Sequence, residues 1–195
     1  MRTFSHPMII LASASPRRRE LLRQIGVDFR AVAADIEEAP FADEQPAEFV
    51  LRMAREKALE VIRLEGDSIP VLGSDTAVIL DDRILGKPAD RSEAAEMLRS
   101  LSEKTHRVFS AVAVAVNASE THTALNITEV TFSTLEPEWI EAYIDTGDPM
   151  DKAGAYGVQG KAAEKISRIE GSFYGVMGLP LYETAQLLKR AGVLF

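Results

Sequence analysis

Apolar positions recur along the chain in two rhythms. Short unbroken runs, MIILAS (8–13) and IPVLGSDTAVIL (69–80), have the length and β-branched content of buried strands, whereas longer stretches with apolar residues three and four apart read as helices. The first run gives way at Ser15-Pro16, a preferred N-cap followed by a preferred first helical residue. The helix it opens carries Leu21, Leu22 and Ile25 on one side and stops at Gly26. Residues 27–36 read as a second strand and EEAPFADEQP as a polar loop. Pro46 opens a long helix to about Leu64, with Gly66 just beyond it. The strand 69–80 turns through DDR into ILGKP, and Asp90 and Glu93, spaced like a capping box, open a helix over 91–101. Residues 106–116 and 124–135 read as paired strands. Pro137 starts a helix with Trp139, Ile140, Tyr143 and Ile144 on one side, ended by Gly147. DPMDKAGAYGVQG is glycine-rich and irregular, KISRIEGSFYGVMG reads as strand, and PLYETAQLLKRAG is the last helix. Strands and helices alternate without a regular βαβ beat, so the pattern predicts an α/β fold with a mixed sheet. No repeat or linker divides the chain, which predicts one domain over 1–195 with residues 1–7 an extension.

Against this pattern several charges stand out of place. A helix N-terminus presents free N–H groups and partial positive charge, which suits anions, yet Arg17, Arg18 and Arg19 crowd the start of the first helix. An anionic ligand there would reverse the repulsion. On the helix 46–64, Phe49, Val50, Met53, Ala54, Ala58 and Val61 make one apolar face at about 100° per residue, and Lys57 falls near its middle. A buried lysine costs several kcal/mol unless paired, or it snorkels to the edge. Asp75 lies inside VLGSDTAVIL, where aliphatics on both sides specify a buried strand and an aspartate needs a partner. Gly73 before it leaves room for a close approach. Lys87 sits in LGKP, a tight loop beside the same hairpin.

Composition narrows what these charges serve. The chain has 195 residues and a formal net charge of -8, which argues against a nucleic-acid polymer as partner, since that rewards a basic face. A small anion in one basic pocket remains compatible. There is no cysteine, so disulfides, thiolate catalysis and Cys-based zinc sites are excluded. The N-terminal MRTFSHPMIILASAS has too short an apolar core for a signal peptide, and no run approaches the length that spans a bilayer. The expectation is a cytoplasmic protein without a membrane partner. The three histidines show no zinc spacing, and neither a Walker A loop nor a dinucleotide fingerprint is present. Clustered cations, a strand aspartate and a helix N-terminus suit a polyphosphate with a hard divalent metal, Mg²⁺ or Mn²⁺, held by one or two carboxylates and the substrate's phosphates.

LASASPRRRELL, IEE, REKA, GSDT, GKP, DKAGAYGVQG and GLPL come in the order and at about the spacing of the Maf family of nucleoside triphosphate pyrophosphatases, which the chain resembles from Ile9 to its last helix. The resemblance implies an elongated mixed β-sheet flanked by helices, an inosine triphosphatase-like fold with a cleft between two lobes, and a homodimer. It also implies cleavage of a nucleoside triphosphate to the monophosphate and pyrophosphate with a divalent metal. By position the implied site is Ser13, Arg17, Arg18, Glu38, Lys57, Asp75 and Lys87, with Asp75 assigned as general base. On the residues themselves Asp75 either takes the water's proton or holds the metal that acidifies it, with Glu38 the second carboxylate near the metal. Arg17, Thr76 and Gln159 resemble the branch that acts on dTTP and UTP. The alternatives are a non-hydrolytic nucleotide-binding regulator of septum formation, or the same enzyme acting on a methylated or purine nucleotide. Glu164 and Lys165 stand where similar proteins carry apolar residues, which points to an altered cleft rim or dimer surface.

Overall fold

The computed structural model describes residues 8–195, and the extension assigned to residues 1–7 lies outside them. The strands are β1 (Ile9–Ala12), β2 (Phe29–Val32), β3 (Val71–Leu80), β4 (Arg83–Leu85), β5 (Thr105–Ala115), β6 (Thr121–Phe132) and β7 (Ile166–Glu170). The helices are α1 (Pro16–Gln24), α2 (Pro46–Glu65), α3 (Arg91–Leu101), α4 (Pro137–Ile144), α5 (Phe173–Val176) and α6 (Leu181–Arg190). The strands form one seven-stranded sheet in the order β2-β1-β3-β5-β6-β7, with β4 beside β3. β1 runs parallel to β2 and β3, and the remaining pairs are antiparallel, so the sheet is mixed as the chain pattern requires.

The local signals act as their chemistry demands. Ser15 accepts from the Arg18 backbone N–H at 3.4 Å and Pro16 begins α1. Asp90 accepts from the Glu93 N–H at 2.9 Å, while the Glu93 carboxylate turns to the Ala89 N–H rather than closing a reciprocal box on Asp90. Two expectations are corrected. The strand read over 27–36 is only Phe29–Val32, because β2 is an edge that pairs β1 alone and the chain then leaves towards a cleft. The strand read over 165–178 stops at Glu170. Gly171 takes φ +130, a region that favours glycine, and Ser172 caps α5 by accepting from the Gly175 N–H at 3.0 Å.

Side chains alternate across a strand, and here the two faces do different work. On one, α2 packs Val50, Met53, Ala54, Ala58 and Val61 against Ile10, Val71, Ala77, Ala111 and Ala113. On the other, two apolar clusters lie apart along the strands. One gathers α1 and α6 over Leu11, Leu72, Val112 and Val114, and the other gathers α3 and α4 over Val78, Leu80, Val108 and Val130. Between them runs a polar belt: Thr76, Ser110 and Asn126 are direct cross-strand partners, flanked by Ser74 and Thr128. β1 pairs β3 only at Val71 and Leu72, and β4 joins only from Val78. The edge of β3 from residue 73 to 77 therefore pairs with neither strand and borders the cleft between the lobes.

Candidate active site

The cleft encloses about 770 Å³, within the range of small-molecule sites. Ser13, Arg17, Arg18, Glu38, Lys57, Asp75, Thr76, Lys87 and Gln159 all line it, although they come from six separate parts of the chain. Arg19, the third arginine of the run, does not line it.

Lys57 reaches the cleft because α2 lies unusually close to β3. A Cβ on Gly73 would overlap the Ala54 carbonyl oxygen and stand 2.9 Å from the Ala58 nitrogen. The room at Gly73 is thus taken by the helix backbone. At this approach the Lys57 side chain, only 8% exposed, extends to two carboxylates, with Nζ 2.7 Å from Asp75 Oδ1 and 2.7 Å from Glu38 Oε1. The buried lysine is paired, not snorkelling. Its two partners differ. Asp75 is buried, and desolvation lifts its pKa more than Lys57 and Arg18 pull it down. Burial also pushes Glu38 upward, but Lys57, Lys87 and Arg18 outweigh that and leave its pKa below the ordinary carboxylate value. Two neighbouring carboxylates pushed in opposite directions divide into a more basic group and a less basic one.

Each carboxylate commits one oxygen to Lys57. Oδ2 of Asp75 and Oε2 of Glu38 make no hydrogen bond among the described residues. No group of three or more His, Asp or Glu is gathered for a metal among those residues. Two available carboxylate oxygens at a cleft match a cation such as Mg²⁺, which binds one or two carboxylates and takes its other ligands from water and substrate phosphates. The donor set fits.

Arg18 lies across the sheet edge from this triad. Its Nε donates to the Gly178 carbonyl at 2.8 Å, Nη2 to Thr76 Oγ1 at 3.3 Å and Nη1 to Ser13 Oγ at 3.5 Å. Burial lowers its pKa, opposed by Asp75 and Glu38 and reinforced by Arg17. Ser13 also accepts from the Ser15 N–H at 3.1 Å, which turns the chain so that the start of α1 faces the cleft. Lys87 and Gln159 are exposed on its rim.

The far wall carries residues outside the expected site, among them Asp148 and the Asp151-Lys152 pair that opens DKAGAYGVQG. Lys152 Nζ donates to Asp148 Oδ1 at 2.9 Å and Asp151 Oδ1 at 2.7 Å, and Tyr143 donates to Asp148 Oδ2 at 2.7 Å. The Tyr143 oxygen accepts from the Gly157 N–H at 3.1 Å and so pins the loop that carries Gln159. Arg17 adds its charge to the field at both aspartates. The i, i+4 spacing of Asp148 and Lys152 was the readable signal. Glu164 and Lys165 are not on the cleft rim: Glu164 accepts from Trp139 Nε1 and Lys165 pairs with Glu136, both beside α4.

A family model described as Maf-like protein matches residues 8–191. A dTTP/UTP pyrophosphatase of Methylobacillus flagellatus is 50% identical over 186 residues, covering 95% of this chain and 93% of that protein. One of Aromatoleum aromaticum is 50% identical over 197 residues, with 94% and 95% covered. One of Salmonella typhimurium is 48% identical over 186 residues, with 95% and 94% covered. Among solved structures, a HAM1 protein from Coxiella burnetii matches 93% of this chain and 98% of its own with a TM-score of 0.51 at 18% identity, a likeness of fold.

Proposed function

The chain belongs to the Maf family, and from that premise we propose that its cleft hydrolyses dTTP and UTP to the monophosphate and pyrophosphate, in the role of clearing the nucleotide pool. The observation that carries the chemistry is Lys57 held between Asp75 and Glu38 on an open strand edge. Asp75, the more basic carboxylate, takes a proton from a water that attacks the α-phosphorus. The bond from that phosphorus to the bridging oxygen breaks, and pyrophosphate leaves with the bond's electrons. Arg18, Lys57 and Lys87 supply positive charge where it accumulates on the departing pyrophosphate, with Ser13 and the α1 N-terminus completing the cradle. Glu38 would hold a divalent cation through its second oxygen while that of Asp75 takes the proton, and such an ion would supply Lewis-acid polarisation of the phosphoryl oxygens and a more acidic bound water.

Base choice is assigned to Gln159. Uracil and thymine present the O4 acceptor beside the N3–H donor, and a primary amide can answer both. Thymine's extra methyl is worth about 1–3 kcal/mol even in a fitted pocket, and Gln159 lies on an exposed rim, so both nucleotides are substrates. The resemblance extends the same reading to a homodimer. The test is a panel of dTTP, UTP, CTP, ATP and GTP with Mg²⁺ or Mn²⁺, scored for pyrophosphate against orthophosphate and repeated with Asp75→Asn and Gln159→Glu. The expected result is pyrophosphate from dTTP and UTP, a loss of about 10²–10⁴-fold for Asp75→Asn, and a weakened pyrimidine preference for Gln159→Glu. Near-full turnover by a folded Asp75→Asn protein would overturn the assignment of the base.

A further inference from the structure

We infer that Tyr143 is a positioning residue for base choice: from inside the protein its hydroxyl holds Gly157, and with it the loop that presents Gln159 at the cleft. The inference rests on the reading of Gln159 as the residue that meets the base, and deepens it. The loop crosses between two apolar clusters, with Tyr156 packed in that of α3 and α4 and Val158 in that of α1 and α6. Gly157 lies at the crossing, lines the cleft and stands two residues before Gln159. Its N–H donates to the Tyr143 oxygen at 3.1 Å. The N–H groups of Val158, Gln159 and Gly160 have no hydrogen-bond acceptor among the described residues. The Tyr143 contact is therefore the one hydrogen bond that an N–H of this stretch donates there.

The protons of this contact have one arrangement. A backbone N–H only donates, so the Tyr143 oxygen accepts from Gly157. The tyrosine's own proton goes to Asp148 Oδ2, 2.7 Å away. Burial pushes the Asp148 carboxyl up, but Lys152 and Tyr143 outweigh it and leave its pKa below the ordinary value, so it serves as an acceptor. Burial and the neighbouring Asp148 raise the pKa of Tyr143, so the hydroxyl keeps its proton. The other oxygen, Asp148 Oδ1, accepts from Lys152 Nζ at 2.9 Å, and the ammonium spends its remaining donors on the Asp148 carbonyl and Asp151 Oδ1. The lysine stem then returns to the glycine: a Cβ at Gly157 would stand 3.0 Å from Lys152 Cε and 3.1 Å from its Cδ. These contacts close a ring through Gly157, Tyr143, Asp148 and Lys152 that grips the loop by hydrogen bond and by packing. Tyr143 is completely buried, stacked on Trp139 at 5.0 Å, and absent from the cleft wall, so it acts on a bound nucleotide only through the loop.

Tyr143→Phe keeps the ring and its stack on Trp139 and removes the hydrogen bond. Amide hydrogen exchange, read by NMR on the full chain, should show the Gly157 N–H more protected than that of Gly160 in wild type. In Tyr143→Phe its protection should fall about tenfold, the order of one hydrogen bond. kcat/KM for dTTP and UTP should fall by a similar factor and that for CTP by less, which narrows the preference. Calorimetric affinity for inorganic tripolyphosphate, which has no base, should stay at the wild-type level. In a Gln159→Ala background, Tyr143→Phe should add less than about twofold to the loss with dTTP, because both changes act through one contact. The inference is overturned if the two losses multiply, if tripolyphosphate weakens as much as dTTP, or if the Gly157 and Gly160 amides are equally protected in wild type. That last comparison needs no variant, so it decides the matter should Tyr143→Phe not fold. If Gln159→Ala leaves the triphosphate ranking unchanged, the base reading of Gln159 fails alone, and the Gly157 amide still decides whether Tyr143 holds the loop.

Discussion

Replacing Gly73 with alanine tests whether the close approach of α2 builds the site. The added Cβ overlaps the Ala54 carbonyl oxygen and lies 2.9 Å from the Ala58 nitrogen and 3.2 Å from the Ala54 carbonyl carbon. All three are backbone atoms, so no rotamer change relieves the clash. Carbon contacts settle near 3.5–4.0 Å, so the helix must retreat by about 1 Å. Overpacking of this kind typically costs about 1–3 kcal/mol, and a rigid backbone neighbour puts this case at the upper end, about 3 kcal/mol. For a chain of this size each kcal/mol lowers Tm by about 2–4 °C, so a loss of about 6–12 °C is expected. Lys57 rides on the same helical turn and holds Asp75 at 2.7 Å, so the retreat also loosens the triad. Misplacement by 1 Å can cost about 10²-fold in rate, and the effect should fall on kcat. The measurement is thermal unfolding together with pyrophosphate release at saturating dTTP. Gly86→Ala is the control, since a Cβ there meets nothing within 4 Å and its stability should stay within about 0.5 kcal/mol of wild type. If Gly73→Ala is as stable and as fast as wild type, close packing of α2 on β3 is not what places Lys57.

Two further outcomes follow from buried charge. Lys57→Ala leaves Asp75 buried without its cation and should destabilise the fold by about 3–5 kcal/mol; in the folded fraction, kcat should fall as well as KM rise, and a change in KM alone would reduce Lys57 to ground-state binding. His106, stacked on Phe132 and 2.6 Å from the Tyr156 hydroxyl, is pushed by burial from 6.5 down to about 4. Its unfolded form takes up a proton first, so the stability this group contributes is complete above pH 6.5 and is lost as pH falls towards 4, about 3 kcal/mol in all. Denaturant melts across that window should show the slope in wild type and a flatter one in His106→Phe, whereas an equal slope in both would remove His106 as its cause.

Lys57 and Asp75 were legible because each breaks a strong local pattern, a helix face in one case and a buried strand in the other. Such a break has few explanations other than a partner, and they proved to be partners of each other. Ser74 and Ser110 broke no pattern, since hydroxyls are unremarkable in strands. Their meaning lies in a cross-strand register that only the pairing of β3 with β5 creates. Gly73 signalled a close approach but not by what, because a missing Cβ accommodates a helix as readily as a ligand. The segment GSFYGVMG was read as strand because a short apolar run does not distinguish strand from helix. The φ of Gly171 and the Ser172 cap decide it. Glu164 and Lys165 read as a change to the cleft rim or the dimer surface; they lie off the rim and answer Trp139 and Glu136, 25 and 29 residues away in the chain.

The strand β3 joins the two halves of the chemistry through its pleat. Successive side chains point to opposite faces, so Asp75 meets Lys57 under α2 while Thr76, one residue on, meets Arg18 and Ser110 on the other side. Asp75, the proposed base, and Thr76, which contacts Arg18, are thus adjacent in sequence yet separated by the sheet itself, and they come into one cleft because residues 73–77 have a free edge between β1 and β4. A slip of one residue in the register of β3 would exchange the faces, burying Thr76 under α2 and turning Asp75 into the polar belt. Gly73 guards against that slip, because the backbone of α2 tolerates no other residue's Cβ at that point. The order Gly-Ser-Asp-Thr therefore follows from packing as much as from catalysis. Position 73 must lack a side chain for the helix, 74 and 76 must carry hydroxyls for the Gly178 carbonyl and Arg18, and 75 must carry the carboxylate.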